Sequence, residues 1–575
     1  MPPQLPFATP TPLIEKREPL ENAAEQGHPQ EPSPSSCFFR AGDPPRERTE
    51  DRGIVKGLRI QRVGGFRRCL LAGLLCLGAL LLGDTCGRAE ATGSPPVDPR
   101  EGFQFPLSAD LSALSWTEAF EAAHGKLSRE YAFGEWKSIS WTDLRARFLP
   151  RIRRALQEKD ERAYYLALLG YVCSLPDGHV KLKAEALSVP AALAAERAGS
   201  GFGLAAAELE EGQIIAAAIL PKGPADRAGI RQGAEILAWG NEPVERALEG
   251  IDPATVPLKT LTGAFGGESP QATEAHRRLE RIRLLPRAPA GAEVEAVYRN
   301  PGEAHPRIVR LVAEDDGGWT LSRVDFARRA ELSDRVEHRI LPGGFGYVRL
   351  GLELDLADPE HYPEGLFRQF QEAIRSFVAA DAPGVVVDLR GNYGGSDRLA
   401  ADLAGFFLDG PSFYEAQEYY DGRTGGFLRI TFDERNLSDP VVDCISMEPQ
   451  SPRYAGPVAV LVNPGTVSSG EGLAMGIRRA PRARVVGFFG SNGSFGMVGG
   501  LIRIPGGYLI GYPFGRSVDR EGRIQLDSRN GVGGVHPDVR VPRTLENVLA
   551  FAAGTDVELL HALNCLREMG DPAKR

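Results

Sequence analysis

Two short apolar runs constrain this chain most. They are Gly384 to Leu389 (GVVVDL) and Val458 to Val462 (VAVLV). Both are unbroken, β-branched and too short for helices, the pattern of strands buried on both faces. Each ends in a Gly-rich turn. The first runs Arg390-Gly391-Asn392-Tyr393-Gly394-Gly395 into a helical pattern over 397–407, the second Asn463-Pro464-Gly465 into one over 468–479. Further strands are expected at Gly346 to Leu350 and Arg484 to Gly487, with a helix over 367–378. Strands alternating with helices predict a largely parallel sheet, whose sites form beyond the carboxyl ends of its strands. Those two turns are therefore where chemistry is expected.

The rest of the chain must be further units. At 575 residues it is about four times the ~150 per domain used as a prior. Over 111–190 Trp116, Phe120, Ala123, Leu127 and Tyr131 recur at helical steps, as do Leu144, Phe148, Ile152 and Leu156 behind Ser140, and a third helix is expected from Tyr164. The segment ends Leu175-Pro176-Asp177-Gly178-His179-Val180, a turn entering a strand. Residues 195–315 read as β-rich, with strands at 213–220, 235–239, 293–298 and 307–312, and an insertion over 251–287 holding a helix over 271–285. The α/β core is expected over 335–548, and a helical tail over 549–575.

Residues 1–60 are polar and Pro-rich, and read as a disordered extension or as sequence upstream of the true translation start. Within 61–91, Arg67-Arg68 precedes an apolar run from Cys69 to Gly83, and Ala89-Glu90-Ala91 follows. That is the order of a secretory signal, with a single membrane anchor as the alternative. An exported protein is expected, in the periplasm, in the envelope or secreted. A net charge of −9 argues against a broad nucleic-acid footprint. Cys173, Cys444 and Cys565 would remain after cleavage and allow at most one disulfide. No metal, nucleotide or other cofactor motif is found.

Thr466-Val467-Ser468-Ser469-Gly470-Glu471 places a serine where a strand turns into a helix. There the helix N-terminus aims N–H groups at any developing oxyanion. Spacing alone favours a plain helix cap, because Ser468-x-x-Glu471 is a capping-box pattern. A nucleophilic serine also needs a base.

VVVDLRGNYGG followed by VLVNPGTVSSGEGLA resembles the S41 peptidases, which include the C-terminal (tail-specific) processing proteases, tricorn-like proteases and the retinoid-binding repeats. LPDGHV resembles the end of that family's helical lead-in. GFGLAAAEL with GPADRAGIRQGAEILAWGNEPV resembles its PDZ domain. The resemblance covers most of 115–545. It implies a multidomain α/β protein: a helical segment, a β-rich PDZ-like domain and a ClpP/crotonase-like α/β protease core.

By that resemblance Ser468 is the nucleophile, and Ser469 with the Gly394/Gly395 turn forms the oxyanion hole. Processing proteases use a lysine base where this chain has Met497, so the Ser/Lys dyad is absent. Tricorn-like members use a histidine at the end of the helical lead-in, which is His179 here, with Gly178 replacing the serine before it. A neutral imidazole suits the role; His124, His338 and His536 stay as alternatives. The residue orienting the base is left between Asn530 and Asp527. Gly201, Phe202, Gly203 and Leu204 match the loop that holds a peptide's terminal carboxylate. The implied activity is peptide-bond hydrolysis of envelope or extracellular proteins by an exported serine endopeptidase, with protein or peptide substrates, no nucleic acid, and membrane contact only through the N-terminal segment. The alternative is a non-catalytic ligand- or peptide-binding protein on the same scaffold.

Overall fold

The computed structural model describes residues 109–184, 186, 188–257, 267–355, 361–430 and 444–570. The expected extension and signal over 1–91 lie outside them, as does the tail beyond 570.

A six-stranded sheet brings the two Gly-rich turns together. Its order is Val336–Ile340, Gly346–Leu350, Val385–Asp388, Val458–Leu461, Ala483–Gly487 and Val539–Arg540, parallel except at the first strand. Val385 pairs with Val458 and Asp388 with Leu461, so the two central strands end side by side. Alternation sends Val385, Val387, Val458 and Val460 to one face, against helices Glu364–Ala379, Asp397–Ala404 and Ser469–Ile477. Val386, Ala459 and Leu461 face the other way, toward Leu545–Ala552 and Val557–Gly570. Helices on both faces explain why the strands carry no polar alternation.

The lead-in helices are Trp116–Glu130, Trp141–Glu158 and Glu161–Cys173, capped by Ser115, Ser140 and Asp160. Phe120, Phe148, Ile152, Tyr164 and Leu168 form their shared core. Leu156 was expected in that stripe but is exposed. Steps of four residues drift about 40° each around a helix, so Ala155 takes the buried place instead. These helices pack on a hairpin that sequence periodicity did not give, Gly496–Ile504 with Tyr508–Val518. The hairpin belongs to a seven-stranded sheet that also holds Ser412–Asp421 and Lys181–Ala184. Met497 lies buried within it, paired with Gly515.

The β-rich part is a six-stranded antiparallel sheet in the order Arg307–Val312, Glu293–Arg299, Glu235–Trp239, Ile214–Ile219, Leu204–Glu208, with Glu242–Pro243 beside Glu235–Trp239. Helix Glu274–Leu284, expected inside an insertion, is an integral part of this unit. Arg278 on the helix reaches Glu208 on the sheet at 2.6 Å. No helix among the described residues is long and apolar enough to cross a membrane. Cys173, Cys444 and Cys565 form no disulfide with one another.

Candidate active site

The two turns are laced by their own backbones. Val467 N–H donates to Asn392 O at 3.0 Å, and Gly391 N–H to Asn463 Oδ1 at 2.8 Å. Between them Ser468 sits at φ +62°, ψ −139°, backbone that a side chain rarely adopts. Such a conformation costs on the order of 1–3 kcal/mol and persists where the surroundings over-determine it. Ser468 is partly exposed within an otherwise buried stretch from Leu461 to Leu473.

The capping-box pairing of Ser468 and Glu471 is present at the start of the helix, with Glu471 Oε2 accepting from Ser468 N–H at 3.3 Å. Glu471 is also a buried hub. Ser491 Oγ, Gly493 N–H and Ser494 N–H donate to it at 2.6, 2.8 and 3.0 Å. Burial pushes its pKa up to about 8 against those bonds.

Gly394 comes so close that a Cβ there would lie 2.4 Å from Ser468 Cβ, and its φ is +78°. Only glycine fits. Its N–H is spent on Asn392 Oδ1 at 2.7 Å. Of the expected oxyanion donors, Gly395 and Ser469 N–H have no acceptor among the described residues. Gly394 therefore supplies close approach rather than an amide.

Ser494 ties Ser468 to the turn that carries His179. Its carbonyl accepts from Ser468 N–H at 3.0 Å, and its hydroxyl accepts from Gly178 N–H at 2.7 Å. The residue before His179 is thereby linked through Ser494 to the backbone of Ser468. A Cβ on Gly178 would fall 2.5 Å from Asn492 Oδ1 and 3.2 Å from Ser494 Oγ. The serine that the family resemblance expects at 178 has no room, because these two side chains fill the space. His179 is buried, and burial lowers its pKa to about 4. It is a neutral imidazole through the physiological range, as a proton acceptor must be.

The carboxylate beside His179 is Asp177, neither of the two expected residues. Asp177 Oδ1 lies 3.7 Å from His179 Nδ1, accepts His179 N–H at 2.9 Å, and is steadied by Tyr131 OH on Oδ2 at 3.0 Å. Asp527 is occupied elsewhere: Lys137 Nζ meets its Oδ1 at 2.5 Å and Phe495 N–H its Oδ2 at 2.9 Å. Asn530 is exposed on a turn at φ +52°. Lys137 also donates to Pro176 O, Ser528 O and Ser528 Oγ, so it is a strut for the His179 turn rather than a free base. His124 is bonded to Tyr171 OH inside the helical core, and His338 and His536 are exposed.

The carboxylate-loop expectation for 201–204 is also corrected. All four residues are buried. Gly201 N–H donates to Glu314 O at 2.9 Å and Phe202 N–H to Pro286 O at 3.1 Å, while Leu204 pairs with Ile219. Pro224 lies over Gly203, 2.8 Å from where its Cβ would be. The neighbouring space between strand Leu204–Glu208 and helix Glu274–Leu284 is walled by Val324 and Phe326 of the same chain.

Asp177 lies inside LPDGHV, where the turn pattern masks a second role for its carboxylate. The spacing of Glu471 signals only a cap. Ser494 and Lys137 carried no local signal at all. Among the described residues no cluster of three or more His, Cys, Asp or Glu is arranged to hold a metal.

Comparison with known proteins bears on this geometry. Residues 362–541 match peptidase family S41. The chain is 24% identical over 388 residues to a chloroplastic C-terminal processing peptidase of Tetradesmus obliquus, covering 65% of this chain and 67% of that one. Its fold is similar to crystal structures of mature CPAF, alone (TM-score 0.51, 14% identity, 79% of this chain and 97% of that one) and complexed with lactacystin (0.50, 15%, 79% and 98%). The match to peptidase family S41 is confined to residues 362–541, where it spans both Gly-rich turns, with Ser468 on the second.

Proposed function

We propose that the chain is an exported serine endopeptidase acting through Ser468 and His179. The observation that carries this is the strained Ser468 backbone, with the Ser469 and Gly395 amides left open beside it. Ser468 Oγ attacks a peptide carbonyl and His179 accepts its proton. Asp177 faces Nδ1, which leaves Nε2 for the serine, and offsets the imidazolium charge as it forms. The open amides receive the tetrahedral oxyanion. His179 returns the proton to the leaving amine, and water then resolves the acyl-enzyme by the same route.

The signal-like pattern over 61–91 supports export, and envelope or extracellular polypeptides follow as substrates. The sheet and helices of 195–315 support a PDZ-like unit. The walling of its groove by Val324 and Phe326 supports a module that meets the protease core, with the terminal-carboxylate role of 201–204 set aside. The missing hydrogen bond at His179 Nδ1 favours a second reading, a binding protein on a peptidase scaffold. Intact-mass labelling with a fluorophosphonate separates the two. One adduct, lost in Ser468→Ala and in His179→Ala, is expected. A folded wild type that takes no label would leave the binding reading.

A further inference from the structure

Arg329 is a cation held at this site without an ion pair among the described residues, Glu471 being the carboxyl whose charge reaches it. The segment 327–330 is fastened to both Gly-rich turns. Ala330 N–H donates to Gly391 O at 3.1 Å, and Asn463 Nδ2 to Arg328 O at 3.0 Å. A Cβ on Gly391 would lie 2.1 Å from Ala330 N, and one on Gly465 2.8 Å from Ala327 O, so the segment is pressed on both turns without clearance. Upstream, Phe326 stacks on Phe551 at 4.5 Å. The backbone of Arg329 is thus fixed. Its guanidinium lies 5.0 Å from the ring centre of Tyr393, the residue before Gly394. It is partly exposed, and it makes no hydrogen bond or ion pair with any described residue.

Other inward arginines differ. Arg287 is paired with Asp316, Arg390 with Asp388, Asp556 and Glu558, and Arg278 with Glu208 and Glu245. A guanidinium prefers a carboxylate, which it can bind through two parallel N–H bonds. Resting on the serine peptidase reading above, we propose that Arg329 determines specificity by binding a substrate carboxylate close to the cleaved bond, so that the enzyme prefers acidic polypeptides.

A second feature points to the same class. A cleft of about 820 Å³ lies between the lead-in helices and the β-rich unit, and Pro176, next to Asp177, is on its wall. Six arginines line it against three carboxylates. Arg147 and Arg151 lie over Phe148 at 5.1 and 5.4 Å and form no ion pair with a described residue. Such a cleft suits one extended acidic chain leaving the site, in a protein whose net charge is otherwise −9.

The test uses the full chain and three pools of quenched decapeptides. One is rich in Asp and Glu with a free C-terminus, one has these replaced by Asn and Gln, and one is acidic but C-terminally amidated. Wild type is expected to favour the acidic pool over the Asn/Gln pool by about tenfold in kcat/KM, mainly through KM, the scale of one charge-assisted contact. That ratio should collapse in Arg329→Gln and be partly restored in Arg329→Lys. If amidation alone removes the preference, Arg329 reads the chain end; if only Asn/Gln replacement does, it reads side chains. Equal cleavage of all pools by wild type, or a preference that survives Arg329→Gln, overturns the proposal. If no pool is cleaved, the peptidase reading fails separately. Fluorescence anisotropy of the same pools on Ser468→Ala then decides. Acidic-over-amide binding lost in the Ser468→Ala/Arg329→Gln double variant upholds the carboxylate role, and equal binding rejects it.

Discussion

The turn at 463–471 and the loop at 201–204 are both glycine-bearing turns expected to offer backbone amides, and the fold treats them differently. In the first, Ser469 and Gly395 N–H stay open because the Gly-rich backbone is held apart by side chains: Asn392, Asn463 and Glu471 take up the neighbouring donors. In the second, Glu314 O and Pro286 O accept from the Gly201 and Phe202 amides, and Pro224 crowds Gly203. A glycine-rich loop binds a ligand only when the rest of the fold declines to satisfy it.

The contrast predicts opposite mutational signatures. At the first turn, substitutions should remove chemistry and spare stability; at the second, the reverse. The largest effect is expected for Ser468→Ala, with peptide hydrolysis falling by at least about 10³-fold while the melting temperature holds. Next is Gly178→Ala, whose added Cβ collides with Asn492 Oδ1. A displaced His179 should cost about 10²-fold in kcat, read against unchanged KM. At the other loop, Gly203→Ala meets Pro224 at φ +77°. It should lose about 2 kcal/mol in urea unfolding, while its folded fraction still takes the fluorophosphonate label.

The pH response tests the burial of the base. The proposed role of His179 requires a neutral ring, and burial lowers its pKa to about 4. The acid limb of the labelling rate should therefore lie near pH 4, well below the ~6.5 of an exposed imidazole. Stability carries the same sign. Between those two values the unfolded chain binds the extra proton, so folding should weaken as pH falls through that window. The smallest effect separates strain from chemistry. Ser468→Gly relieves the φ of +62° that Ser468→Ala retains, and should be more stable than that variant by about 1 kcal/mol.

What the sequence revealed follows the same division between local and distant causes. The strands at 346–350, 385–388 and 458–461, and the turn that presents Ser468, are local patterns, and the structure has them. The hairpin 496–518 was hidden by its own glycines. Gly496, Gly500 and Gly515 leave room for Phe133, Tyr512 and Tyr419 to lie against the strands, and a glycine carries no alternation signal. The partner of His179 was sought far downstream because the resemblance pointed there, whereas the nearest carboxylate is two residues away. Arg329 gave no sign, since its meaning depends on what does not surround it.

The contact between Gly178 and Ser494 spans 316 positions of the chain. Contacts this distant form late and slowly, after the intervening sheets have found their pairings. A nascent or nicked chain holding only one half therefore has a serine without a base, or a base without a serine. Proteolytic power would arrive as a property of the finished fold, a safeguard for the cell that makes it.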